Sequence, residues 1–415
     1  MPERILCVHQ GFPAQFAPVV KALLQRGCRV DALHHQGCDW SHPNLYLHRW
    51  RPLRGTTPGL IDGVAEVESK FIRAAAVAEQ AQKLAASGYT PELILAHPGW
   101  GESLYLSSIW PQVPQLHYLE YYYQPMQAGS DLEPATDNSS IHESRRLHRQ
   151  VRAKNVANLL ALDEMAWGLA PTAFQASRFP KVYRHRVSVI HDGVDTVLLR
   201  ADRHVRLRLP NGVILDRHQP VITFVNRCLE PYRGFPQFMR SLPAVLSAYP
   251  DAQVLVVGNS QKVSYGLPPN DGRTWKDVMI DELTDQLDLS RVHFLGIQDR
   301  APFIRILQLS QCHVYLTVPF VLSWSLLEAM ACGAPVVASD GPSVRDVIEH
   351  QKHGLLVNHN DPVSLSAAII ATLEDRDAAA IRARHARAKI EQDFDVQHCT
   401  SQRLALLELV ASGIL

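Results

Sequence analysis

The sequence predicts an α/β protein made of two doubly wound, parallel-sheet domains in tandem. Three observations predict it. The chain has 415 residues, more than a single hydrophobic core usually supports. Short apolar runs alternate along it with longer segments of helical periodicity, the pattern of βα units. A charged, poorly periodic stretch at 196–219 separates one such series from a second, so it reads as an interdomain linker. The expected domains are 1–200 and 201–395, with 396–415 as a C-terminal helix packing back on the first.

In the first series, Arg4–Val8 (RILCV) reads as a buried strand. Phe16, Val19, Val20, Leu23 and Leu24 then recur at helical spacing until Gly27 stops the helix. Arg29–Leu33 starts the next strand, and a long helix from about 63 to 87 closes at Gly88. Strand Glu92–Ala96 runs into the sharp turn His97-Pro98-Gly99-Trp100. Gln115–Leu119 is a strand, 124–139 a polar loop, 141–158 a helix rich in Arg and His, and Val187–Ile190 a strand ending in His191-Asp192-Gly193. The second series has strands at Val221–Val225, Gln253–Val257, Val292–Leu295, Val314–Leu316 and Pro335–Ser339, with helices between them. Helices at about 378–390 and 400–411 finish the chain.

Forty-one basic residues balance 41 acidic ones, which excludes a globally basic nucleic-acid binder. The 7 cysteines are scattered and form no C-x-x-C pair, so neither a disulfide framework nor a zinc site is expected. Reduced thiols fit a cytoplasmic protein. No run reaches the ~18 apolar residues of a membrane span, and the N-terminus lacks the apolar length of a signal peptide. Basic runs at Arg145–Lys154, Arg178–Arg186 and Arg200–Arg208 read as solvated helix faces, or as a face for an anionic acceptor or peripheral membrane contact.

In open parallel sheets, ligands bind beyond the carboxyl ends of the strands. Two such domains facing each other are expected to line one cleft with those ends. Gly11, in the loop after the first strand, is counted with the ligand-binding residues, although His9-Gln10-Gly11-Phe12 is no dinucleotide fingerprint. After the strand Val221–Val225 come Arg227 and Arg233, six apart on one loop. Guanidinium groups stay charged and donate two hydrogen bonds to one oxyanion, so they suit a diphosphate; surface pairing with Glu230 is the alternative. Thr317–Asp340 reads strand, loop, helix, with Gly333 as the stop. Its helix N-terminus would offer the amides of Ser323, Trp324 and Ser325 to negative charge. Glu328, one turn further in, could accept ribose hydroxyls, or complete a capping box with Ser325. His97, following a strand, could act on an acceptor hydroxyl or orient a sugar.

Taken together these segments resemble glycosyltransferase family 4, most strongly over about 187–375. The carriers are VIHDGVDT (Val189–Thr196), FVNRCLEPYRGF (Phe224–Phe235), VLVVG (Val254–Gly258), VHFLG (Val292–Gly296), LLEAMACGAPVVASD (Leu326–Asp340) and HGLLV (His353–Val357). The resemblance implies the GT-B fold, two Rossmann-like domains facing an interdomain cleft. It implies a retaining hexosyltransferase that uses a UDP- or GDP-linked sugar as substrate, with no metal and no further cofactor. Its acceptor would be a carbohydrate or lipid-linked hydroxyl. Arg227 and Arg233 would clamp the diphosphate, where the family more often has Lys at the second position. Glu328 would hold the ribose, Ile297 would lie near the base, and His97 near the donor sugar. One departure stands out: the first glutamate of the family's pair is Phe320 here, and Val321 and Ser323 replace the usual glycines. An aromatic ring cannot accept hydroxyl protons, so an altered donor sugar is expected. A non-catalytic partner subunit and a nucleotide-sugar epimerase are the rival readings.

Overall fold

The computed structural model describes residues 2–61, 63–126, 129–130 and 141–415. Most of the expected polar loop at 124–139 lies outside the described residues. The chain forms two compact units, Met1–Gly193 with Val396–Leu415, and Val194–Asp395.

The main sheet of the first unit has seven strands: β1 (Arg4–Val8), β2 (Arg29–His34), β3 (Leu45–Arg49), β4 (Leu93–Ala96), β5 (Gln115–Tyr118), β6 (Trp167–Ala170) and β7 (Val187–Val189). They pair in the order β3-β2-β1-β4-β5-β6-β7, all parallel. Alternate residues of β1 serve opposite layers. Ile5 and Cys7 pack with Val20 and Leu23 of α1 (Ala17–Gln25) and with Leu404 and Leu407 of the C-terminal helix Val396–Ala411. Leu6 and Val8 pack with Val77, Ala81 and Leu84 of α2 (Val64–Ala86). Covering both faces is why β1 reads as an unbroken apolar run. Strands β3 and β6 escape the sequence pattern. The first is an edge strand with no fully buried residue, and edge strands carry little apolar signal.

The C-terminal helix is tied down by charge as well as by apolar packing. Arg403, 2% exposed, pairs with the buried Asp192, and its Nη1 donates to the Gln15 carbonyl at 3.2 Å. The Tyr118 hydroxyl donates to Asp192 Oδ1 at 2.9 Å. Asp192 in VIHDGVDT is therefore half of a buried ion pair.

The second unit holds β8 (Val221–Cys228), β9 (Gln253–Asn259), β10 (Val292–Gly296), β11 (Cys312–Tyr315), β12 (Val336–Ser339) and β13 (Leu355–Val357), in the parallel order β10-β9-β8-β11-β12-β13. Its helices are α5 (Phe235–Ala248), α6 (Trp275–Glu282), α7 (Arg300–Leu309), α8 (Trp324–Ala331), α9 (Pro342–Arg345), α10 (Pro362–Glu374) and α11 (Arg376–Asp393), following α3 (Ile141–Glu164) and α4 (Ala173–Arg178) of the first unit. One layer contains Ile222 and Phe224, and the other Val221 and Val225. The segment 196–219 is not a linker. Leu199, Val205, Leu207, Leu209 and Leu215 are buried in the second core, and Leu207–Arg208 pairs antiparallel with Ile214–Leu215. Sparse apolar residues between charges hid it, because only one side of the segment touches the core. Among the described residues no helix is long and apolar enough to cross a membrane.

Candidate functional site

In the second unit the candidate residues gather where β8, β10 and β11 end. Strand β8 is bulged between Val225 and Cys228, and a bulge re-aims the side chains that follow it. Arg227 is exposed there, and its guanidinium makes no hydrogen bond or ion pair among the described residues. Arg233 differs. It is 8% exposed, and its Nη1 donates to Thr317 Oγ1 at 3.0 Å and to the Val321 carbonyl at 3.1 Å. Tyr315 Oη lies 3.4 Å from the same nitrogen. These contacts join two motifs more than eighty residues apart. Gly234 permits this approach: its φ is +67°, and a Cβ there would lie 2.3 Å from Leu316 Cβ. Glu230 pairs with neither arginine. Its Oε2 accepts from the amides of Ser264 and Tyr265 at 2.6 and 3.1 Å, holding the loop after β9, while burial pushes its carboxyl up.

Phe320 is 2% exposed. Its ring meets Tyr265 edge-on at 4.7 Å and Tyr232 at 6.1 Å. The Arg233 guanidinium stands 5.6 Å from the Phe320 and Tyr265 rings alike, within the range of cation–π attraction. The position of the family's first glutamate is thus a packed aromatic wall beside Arg233.

The α8 N-terminus is less open than its sequence implies. Ser323 N–H donates to Tyr315 Oη at 2.9 Å, and Ser325 N–H to Ser323 Oγ at 3.4 Å. An anion at this terminus must exchange with those internal partners. Ser323 is the N-cap, so the Ser325–Glu328 capping box does not form. Glu328 Oε1 instead pairs with Arg300 Nη1 at 2.5 Å. Arg300, at the start of α7, was missed in the sequence; only its place just after VHFLG could have signalled it. Ile297, in the same loop, is 73% exposed.

Gly11 and His97 stand at strand ends of the first unit. Gly11 N–H donates to His9 Nδ1 at 3.0 Å. His97, 3% exposed, stacks on Trp100 at 4.0 Å between ring centroids and lies 5.4 Å from His9. Its Nε2 is 3.3 Å from Glu120 Oε2, and Glu120 Oε1 accepts from Gln15 Nε2 at 2.9 Å. Burial, with the neighbouring His97, pushes His9 down to about 3, so it is neutral at physiological pH. His97 Nδ1, His9 Nε2 and both oxygens of the buried Glu102 have no hydrogen-bond partner among the described residues. Burial pushes the Glu102 carboxyl up to about 7. Buried polar groups of this kind need a partner, which a water or a bound ligand can supply. Histidine, glutamate and orphaned nitrogens together can hold hydroxyls and carry a proton. The basic run at 178–186 is largely engaged elsewhere: Arg184 Nε donates to the Phe179 carbonyl at 2.7 Å and Arg186 Nη1 to that of Met165 at 3.0 Å.

Residues 26–199 match the family model described as glycosyl transferase family 4 group, and residues 219–375 the model described as glycosyl transferases group 1. A phosphatidyl-myo-inositol mannosyltransferase of Mycobacterium leprae is 28% identical over 225 residues, covering 50% of this chain and 54% of its own. The chain spans about half the length of the curated relatives it matches. Among solved structures, Anabaena HepE in complex with UDP and glucose superposes with a TM-score of 0.68 at 20% identity, over 97% of this chain and 99% of that one. Sucrose-phosphate synthase from Thermosynechococcus elongatus gives 0.74 at 18% identity, over 98% and 99%. These likenesses show the fold, the two Rossmann-like units of the GT-B class. With both of its units matched in order by the paired models, the chain belongs to the glycosyltransferases of family 4 and group 1 type.

Proposed function

We propose that this chain transfers a hexosyl group from a UDP- or GDP-linked sugar to an acceptor hydroxyl, with retention at the anomeric carbon. The observation that carries the reading is the junction of Arg233 with the loop before α8, next to the exposed, unpaired Arg227. Arg233 Nε and Nη2 make no hydrogen bond among the described residues, so both arginines keep donors for a diphosphate. Charge grows on the diphosphate as its bond to the sugar breaks, and fixed cations stabilise that change most. In this reading they do so without a metal or a further cofactor. The acceptor oxygen bonds to the anomeric carbon on the face the diphosphate leaves, and the acceptor proton passes to the departing phosphate oxygen. Glu328 would accept the ribose hydroxyls, steadied by Arg300, with Ile297 flanking the base. His97 and Gly11 would serve the sugar from the first unit. Its relatives, mannosyltransferase among them, support the reaction class. The acceptor we propose is a carbohydrate or a lipid-linked sugar. Six of the seven cysteines are buried, which fits a reducing, cytoplasmic setting.

The buried Phe320 favours a second reading, a non-catalytic partner subunit. One experiment separates the two. Calorimetry with UDP and GDP is followed by mass spectrometry of incubations with UDP-glucose and GDP-mannose, with and without sugar acceptors. Release of nucleoside diphosphate with a new glycoside supports transfer. Tight nucleotide binding with no release or transfer from any donor overturns it in favour of the partner subunit.

A further inference from the structure

The second unit holds a cavity of about 410 Å³ remote from the strand ends described above. Gln311 and Pro335, which line it, immediately precede β11 and β12, so it opens at the opposite edge of the sheet. Five arginines line it: Arg203, Arg217, Arg376, Arg384 and Arg387. No carboxylate does.

Arg387 has an evident structural use. It donates to the Leu199 carbonyl at 2.9 Å and to the Ala331 carbonyl at the end of α8, and it pairs with Glu391 at 2.7 Å. The other four do not. Arg203, Arg376 and Arg384 make no hydrogen bond or ion pair among the described residues. Arg217 donates only to the Gln308 carbonyl, at 2.5 Å. Burial and the charges of Arg376 and Arg203 push the Arg217 guanidinium down, against the pull of Asp202. Like charges are therefore crowded around one hollow. Asp202 and Asp375, each next in sequence to one of these arginines, accept from backbone amides: Asp202 from that of His204 at 2.8 Å and Asp375 from that of Ala378 at 2.9 Å. Gln311 Nε2 donates to the carbonyls of Arg217 and Gln219, but its buried Oε1 has no partner among the described residues.

Guanidinium groups crowded together with little counter-charge repel one another, and an anion among them relieves that repulsion. The planar fork of arginine matches phosphate oxygens. Ala201, Gly333 and Leu373 also line the cavity and add apolar surface for a small organic body beside the charge. We infer that this cavity binds a small, multiply charged phosphate compound, a phosphate monoester or a pyrophosphate, at a site separate from the proposed donor site. Arg203, in the basic run 200–208, supplies one of its cations.

The test is calorimetry of the whole chain with sodium pyrophosphate and, separately, glucose 6-phosphate. Arg376 and Arg384 are exposed, so R376E/R384E should fold, which circular dichroism and a thermal melt establish. Wild type is expected to bind at least one probe, and more weakly as salt rises from about 50 to about 500 mM. R376E/R384E should weaken that binding by about a hundredfold, roughly tenfold for each lost charge-assisted contact. R227A should leave within about twofold the component of binding that R376E/R384E removes, whatever it does to binding at the proposed donor site. Pyrophosphate alone binding identifies an inorganic source, and glucose 6-phosphate binding identifies a phosphoester. The proposal is overturned if neither probe binds at millimolar concentration, if folded R376E/R384E binds like wild type, or if R227A alone abolishes binding. That last result would place the probe at the donor site and leave the transferase reading standing.

Discussion

Arg227 and Arg233 are expected to respond differently to the same substitution. The Arg227 guanidinium is exposed and makes no hydrogen bond or ion pair among the described residues, so Arg227→Ala should change stability by no more than about 0.5 kcal/mol. Arg233 is buried and holds Thr317 Oγ1, the Val321 carbonyl and the Tyr315 hydroxyl. Its removal leaves the half-buried Val321 carbonyl and the buried Thr317 hydroxyl without this donor, at about 1–3 kcal/mol. It also strips the cation from the Phe320 and Tyr265 rings, at about 0.5–2 kcal/mol. Together these give a loss of about 1.5–5 kcal/mol. For a unit of this size, that is a fall in melting temperature of roughly 3–20 °C. Binding should separate the two the other way. R227A should weaken UDP or GDP by about tenfold or more, the loss of one charge-assisted contact, with an unchanged melt. R233A should lose both affinity and stability. Differential scanning calorimetry and isothermal titration of the same preparations read both quantities. If R227A keeps full nucleotide affinity, or melts as early as R233A, the division between a free clamp and a buttressed one is wrong.

Three further outcomes follow from particular contacts. Arg300→Leu should lower the melt only slightly, since the pair joins a half-exposed arginine to a 14% exposed carboxylate and contributes about 1 kcal/mol. It should weaken nucleotide binding several-fold, be rescued by R300K, and add nothing in an E328Q background, as a double-mutant cycle would show. Glu102 is held protonated by burial up to about pH 7, from an ordinary value of 4.5. The folded state therefore keeps a proton that the unfolded state releases, and stability falls as pH rises from about 4.5 to 7, by up to roughly 3 kcal/mol. E102Q should flatten that fall and melt higher than wild type at pH 8; parallel pH profiles would refute the assignment. Arg403→Met strands the buried Asp192 and should cost about 3–5 kcal/mol, while D192N/R403M should recover much of it, read from thermal melts.

How far the sequence was legible follows from what each residue touches. The βα alternation was visible because both faces of each central strand are covered, which makes runs such as Arg4–Val8 and Val221–Val225 apolar throughout. Strand Leu45–Arg49 and the segment 196–219 were not, since each turns only one side to a core and keeps polar residues on the other. The position of Arg233 was legible, but its ties to Tyr315, Thr317 and Val321 were not, because long-range side-chain contacts leave no local period. Glu328 shows the same limit from the other direction. Its spacing from Ser325 fits a capping box, yet helix α8 starts two residues earlier than that motif requires, at Ser323. A shift of two positions carries the carboxylate away from the N-terminal amides and leaves it free to meet Arg300. Whether Glu328 caps the helix therefore depends on where one serine hydroxyl finds its first amide, beside the Tyr315 hydroxyl that accepts from Ser323 N–H out of strand β11. Tyr315→Phe would release that amide, and with it the start of α8 should become a better anion site at the expense of a buried hydrogen bond of about 1 kcal/mol. A tighter UDP complex in a slightly less stable Y315F protein is the expected pair of results, and weaker UDP binding in Y315F would show that the hydroxyl orders the site rather than competes for it.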